Sequence, residues 1–228
     1  MDTFDSRALG PTDTYGQRFM REGTYTYTVA PAGSGDLTSE FPYVIRVTNG
    51  KDDTMEQHTV VLRREDGALR PDPPQVEIKT GDLVSWACRQ SGVQPYEVVG
   101  KDSFFSSGRL FNESGYAHAF GTPGTYIWTD SYGSGLSGAV HVVDPHCRTK
   151  DDIAKWQRRL KKGQLIMITG TKAEPTEVEI VVGQTVYFAV TKAPGVSISD
   201  RRMAETIPPW FGASERPGKR AQVARTSV

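Results

Sequence analysis

Four histidines and two cysteines are the residues of this 228-residue chain best suited to hold a metal or relay a proton. Their spacing favours neither use. His58, His118, His141 and His146 lack the i, i+2 or i, i+4 ligand partners that build a zinc site. His146 and Cys147, beside Asp144, form one local cluster, at most an adventitious zinc trap. The other histidines read as solvated or edge-strand residues. Cys88 follows Trp86 on an expected strand and Cys147 lies in a linker, so one bridge and two free thiols both stay open. Ser137 sits in Gly135-Leu136-Ser137-Gly138, without the Gly-x-Ser-x-Gly pattern or the strand-to-helix turn of a nucleophile elbow. The glycines from Gly133 to Gly138 lead into a strand, so no helix N-terminus faces a phosphate there. No catalytic constellation emerges, and no enzymatic activity is expected.

Charge narrows the partners. There are 27 Lys+Arg against 27 Asp+Glu, which gives no bulk attraction for nucleic acid or an anionic membrane. The stretch Arg216 to Arg225 is locally basic and reads as a solvated tail. No apolar run approaches the ~20 residues of a membrane span. The opening Met1-Asp-Thr-Phe-Asp5 lacks the basic and apolar regions of a signal peptide, which leaves the compartment open.

The elements that must position these residues are mostly strands. Short runs rich in Val, Ile, Thr, Tyr and Trp alternate with Gly, Pro, Asn and Asp turns, the pattern of an antiparallel sandwich. Expected strands include His58 to Arg63, Val76 to Ile78, Leu83 to Cys88, Tyr96 to Val99, Tyr116 to Phe120, Gly124 to Thr129 and Ala139 to Val143. Val84, Trp86, Phe120, Tyr126, Trp128 and Val140 are core candidates. One helix interrupts the pattern. Thr149 and Asp152 fit a capping box, and Ile153, Trp156 and Leu160 share a face. Lys161 and Lys162 suit its C-terminal dipole and Gly163 its C-cap, so it reads as a connector docked by its apolar stripe.

The chain also repeats itself. Tyr15, Phe19, Gly23-Thr24-Tyr25 and Thr28 return as Tyr116, Phe120, Gly124-Thr125-Tyr126 and Thr129, at an offset of 101. Val76-Glu77-Ile78, Gly81 and Val84 return as Val178-Glu179-Ile180, Gly183 and Val186, at an offset of 102. Such periods decide architecture before local reading does.

The central copy resembles a cupredoxin, the plastocyanin-like blue-copper sandwich. The residues that carry the likeness are Val76-x-Ile78-x-x-Gly81-Asp82-x-Val84-x-Trp86, Pro95-Tyr96-Glu97-Val98-Val99, Phe120-x-x-Pro123-Gly124-Thr125-Tyr126 and Gly135-Leu136-x-Gly138-x-Val140-x-Val142. The resemblance implies type 1 copper held by two His, one Cys and a weak axial Met. This chain departs from it at all four places. Tyr96 stands for the first His, Asp130 for the Cys, Tyr132 or Gly133 for the second His, and Leu136 for the Met. In the N-terminal copy the Cys place is Val29. No metal, cofactor or catalytic residue is therefore expected.

The resemblance implies an all-β chain of two cupredoxin-like Greek-key sandwiches plus a short connecting helix. One sandwich is contiguous, over 57–144. The other is assembled from the chain ends, with 1–50 as its back half and 164–228, including an irregular tail, as its front half. Residues 145–163 form the linker helix. The end halves close on each other within the chain, close between neighbours as head-to-tail donor-strand polymers, or belong to a longer array. The expected function is that of a copper-free structural or protein-interaction module within a larger assembly. Its partners are other proteins or further copies of itself, with no nucleic acid and no membrane span. The alternative is electron transfer or copper handling at a divergent site. The family's usual setting is extracytoplasmic.

Overall fold

Side chains of period two set the strands. In β4 (Gln57–Glu65) Val60 and Leu62 are buried between exposed neighbours, and in β6 (Gln75–Lys79) Val76 and Ile78 are buried between Gln75, Glu77 and Lys79. The structure, a computed structural model, describes residues 2–33, 40–50 and 54–204; the Ile207 to Phe211 apolar cluster and the basic Arg216 to Arg225 stretch lie outside them. Strands hold 51% of the residues and helix 9%, so the chain is mostly β.

The remaining strands of the first half are β1 (Asp13–Arg18), β2 (Gly23–Pro31), β3 (Tyr43–Thr48), β5 (Ala68–Asp72), β7 (Leu83–Ala87) and β8 (Tyr96–Gly100). The second half contributes β9 (Ser114–Ala119), β10 (Gly124–Thr129), β11 (Ser137–Val143), β12 (Gln164–Thr169), β13 (Lys172–Glu174), β14 (Glu177–Val181), β15 (Thr185–Lys192) and β16 (Ser199–Asp200). They form three mixed sheets. The eight-stranded sheet has the order β13-β12-β15-β9-β1-β7-β4-β5, and the four-stranded sheets are β14-β11-β10-β16 and β6-β3-β2-β8.

The pairing divides the chain elsewhere than at 57 and 144. β7 takes β1 rather than β9 as its antiparallel neighbour, and β6 takes β3 rather than β11 as its parallel one. The second copy repeats the choice, with β15 beside β9 and β14 beside β11. Strands β1–β8 thus pair among themselves, as do β9–β16, and among the named strands only β1–β9 joins the two sets. The repeat offers each strand two chemically equivalent edges, so composition does not choose between them; each strand takes the copy that most closely precedes it in the chain.

The β1–β9 seam sets Tyr15 opposite Tyr116, two residues that correspond in the repeat. A local two-fold axis therefore passes through that pair, and matched residues surround it. Tyr15 stacks on Trp86 at 5.4 Å as Tyr116 stacks on Phe188 at 6.1 Å. Tyr27 meets Trp86 edge-on at 5.4 Å, and Trp128 meets Phe188 at 5.5 Å. All six expected core residues are buried, in a cluster spanning both sets. Gly81 (φ +95°) and Gly183 (φ +87°) occupy matching turns, where a left-handed backbone favours glycine.

Helix α1 (Lys150–Leu160) has the expected capping box: Thr149 Oγ1 accepts from the Asp152 amide at 3.1 Å, and the Asp152 carboxylate accepts from the Thr149 amide at 2.9 Å. The expected apolar stripe docks only in part: Trp156 Nε1 donates to the Val182 carbonyl at 2.8 Å, while Ile153 is exposed. The C-terminus departs from expectation. Gly163 is not left-handed; instead Gln184 Nε2 donates to the carbonyls of Arg159 (2.7 Å) and Lys162 (2.5 Å). A side chain from the turn between β14 and β15 thus satisfies carbonyls that a helix end leaves free.

Candidate functional site

The four positions that the resemblance assigns to copper ligands fall in two different strand sets. Tyr96 opens β8 in the first strand set, opposite Pro31 and near Val29 of β2. Asp130, Gly133 and Leu136 share the loop between β10 and β11 in the second set. Permuting which copy completes which sheet separates positions that are neighbours in the linear motif.

Tyr96 is buried, and its hydroxyl accepts from the Cys88 amide at 3.0 Å. Burial, reinforced by the Cys88 thiol, pushes its phenol well above the usual tyrosine range. A cleft of about 280 Å³ opens beside it, lined by Val29, Pro31, Arg64, Leu69 and Val93 among others. Among the described residues no His, Cys, Met or carboxylate lines that cleft.

Asp130 is also buried and its carboxylate is engaged on both oxygens. Oδ1 accepts from the amides of Ser197 (2.7 Å) and Tyr132 (3.1 Å) and from Ser197 Oγ (3.1 Å); Oδ2 accepts from the Ser134 amide (2.9 Å). These bonds hold the β10–β11 loop against the Ser197 segment. Gly133 (φ +85°) lets that loop turn, while Leu136 is buried and its carbonyl accepts from the Asp130 amide at 3.0 Å. The carboxylate at the Cys place is thus an organiser of its own loop.

Each histidine stands near a carboxylate. His58 Nε2 lies 3.0 Å from Asp82 Oδ2, and His141 Nε2 lies 3.6 Å from Glu177. Burial alone would raise the Asp82 carboxyl, but the amides of Glu56 and Lys79 and the His58 ring outweigh it and hold it below the usual range. His146 is exposed, 3.9 Å from Asp144.

His118 corrects the solvated reading: it is 1% exposed, with Nδ1 2.7 Å from Asp13 Oδ1 across the seam. Tyr116 donates to the same oxygen at 2.6 Å. Burial and the Asp13 carboxylate push that phenol well above its usual range, which keeps it a donor. The Gly10 amide donates to Asp13 Oδ2 at 2.6 Å. Among the described residues His118 Nε2 has no hydrogen-bond partner, and Phe4 and Phe120 pack on the ring at 5.4 and 4.6 Å. The clefts at Tyr96, at Phe104 and at α1 do not reach this cluster, so its chemistry is that of a buried tie between the strand sets.

Among the described residues no group of three or more His, Cys, Asp or Glu is placed to hold a metal ion. Cys88 is buried, Cys147 is exposed, and both are free. The sequence reading missed Asp13, whose partner lies 105 residues away. It also missed the segment Phe4-x-Ser6-x-x-Leu9, although its return as Phe105-x-Ser107-x-x-Leu110, at the same offset of 101, was there to be found. Comparison with protein-family models, with curated proteins and with solved structures finds no match to this chain.

Proposed function

We propose that the chain is a copper-free module of cupredoxin type, two Greek-key sandwiches of permuted strand order, acting as a structural or protein-interaction part of a larger assembly. One observation carries this reading: the polar groups at the ligand places are spent on internal bonds. Tyr96 is tied to the Cys88 amide and Asp130 to four donors, while Val29 and Leu136 are apolar. The permuted order has its own support, because each strand set contains one copy of both repeated motifs. The first set carries Val76 to Trp86 with Gly23-Thr24-Tyr25, and the second carries Val178 to Phe188 with Gly124-Thr125-Tyr126.

Elemental analysis of the purified chain, after incubation with copper and desalting, tests the reading. The expected result is copper far below stoichiometry and no thiolate-to-copper absorption. Stoichiometric, tightly held copper contradicts it and points instead to electron transfer or copper handling.

A further inference from the structure

Two equivalent segments cross the seam in opposite directions. Phe105, in the linker after β8, packs into the first strand set against Phe19 (5.5 Å) and Trp86 (5.6 Å). Phe4, near the N-terminus, packs into the second set against Phe120 (5.3 Å) and Tyr126 (6.4 Å). Their backbone bonds match. The Gly100 amide donates to the Phe105 carbonyl at 2.8 Å, as the Asp200 amide donates to that of Phe4 at 2.8 Å. Ser107 N donates to the Val98 carbonyl and Ser107 Oγ accepts from the Val98 amide, while Ser6 repeats both bonds with Ile198. Each segment lies as an added strand with one aromatic ring in a pocket. This is the usual form of extended-peptide recognition, in which main-chain bonds supply affinity and the pocket supplies selectivity.

The Phe105 segment lies between β8 and β9, and the Phe4 segment leads through Leu9, which exchanges backbone bonds with Tyr96, and then Gly10-Pro11 into β1. Its slot is built wholly from the other strand set. Asp2 adds a clamp there, accepting from the amides of Gly121 (2.5 Å) and Thr122 (3.0 Å) and from Thr122 Oγ1 (2.9 Å).

We propose that the slot formed by Phe120, Tyr126 and Ile198–Asp200 is a peptide-binding site for a Phe-x-Ser segment, filled in cis by Phe4–Ser6 and open in trans to the same segment of a second copy. This rests on the interaction-module reading and names its surface. A short tether gives the cis segment an effective concentration of about a millimolar, so exchange between copies needs concentrations of that order.

The test uses the full chain carrying Phe4→Ala and a fluorescent peptide spanning Asp2–Gly10. Saturable binding is expected, weaker by on the order of 100-fold for the peptide with Phe4→Ala, as the loss of a buried phenyl implies. Where Phe4→Ala lowers the melting temperature, the wild-type peptide restores it and the Ala peptide does not, so a destabilised variant still reports. Light scattering of the wild-type chain is expected to show mass rising above the monomer near a millimolar. Equal binding of the two peptides, or none, overturns the site; a constant monomer mass at that concentration overturns the exchange between copies. Copper content is read separately, so failure of the copper-free reading and failure of this site are told apart.

Discussion

Replacing Glu97 by glutamine gives a stability change whose pH dependence follows from the structure. Glu97 lies on β8 opposite Ala30, partly buried against the linker, with its Oε2 3.4 Å from where a Cβ at Gly108 would stand. No hydrogen bond to its carboxylate forms among the described residues, and burial pushes its carboxyl from 4.5 up to about 7. In the unfolded chain the group titrates near its ordinary value. A raised carboxyl contributes stability that is fully present below about pH 4.5 and is lost as pH rises through about 7. Such a change corresponds to roughly 3 kcal/mol, and partial exposure reduces it to roughly 1–2 kcal/mol. Urea unfolding of wild type and Glu97→Gln at pH 5 and pH 8 isolates the group, because all other titrations cancel in the difference. Glutamine is expected to be near neutral at pH 5 and to stabilise by roughly 1–2 kcal/mol at pH 8. A difference that does not change with pH refutes the idea that burial of an unpaired carboxylate at this position costs the fold anything.

Two further substitutions probe packing and capping. A Cβ at Gly138 would stand 2.0 Å from the Thr176 carbonyl and 2.7 Å from the Trp128 ring, so Gly138→Ala must part β11 from β14. It is expected to cost on the order of 3 kcal/mol in urea unfolding, whereas Gly67→Ala meets no neighbour and pays only for its left-handed backbone. Gln184→Ala removes the side chain that bonds the Arg159 and Lys162 carbonyls and the Val181 amide. It is expected to cost about 1–3 kcal/mol and to speed amide exchange across Lys150–Leu160 while leaving β9–β11 protected.

What the sequence made legible was local or periodic. The capping box of α1 needs only residues three apart, and the buried Val84, Trp86, Phe120, Tyr126, Trp128 and Val140 follow from alternation. The phase of the repeat was harder, because an offset near 101 is the same wherever a unit is taken to begin. The motifs of one family set that phase at His58, which split the chain ends into two halves. The strand pairing begins each set at β1 and β9, and the Phe-x-Ser-x-x-Leu segments ahead of them mark that start. The same phase shift parts Tyr96 from Asp130, which lie in one linear motif series but in different strand sets. His118 was misread because its burial depends on Asp13, a contact no spacing rule reaches. Gln184 was overlooked for the same reason: a glutamine in the turn between β14 and β15 gives no sign that a helix end lies above it.

The division into β1–β8 and β9–β16 is tested most directly by interstrand amide contacts in the intact, deuterated chain, read as nuclear Overhauser effects. The pairing predicts contacts between Val44–Thr48 and Gln75–Lys79, and between Ala139–Val143 and Glu177–Val181. Contacts between Gln75–Lys79 and Ala139–Val143 in their place would restore the contiguous 57–144 unit and contradict the permuted arrangement.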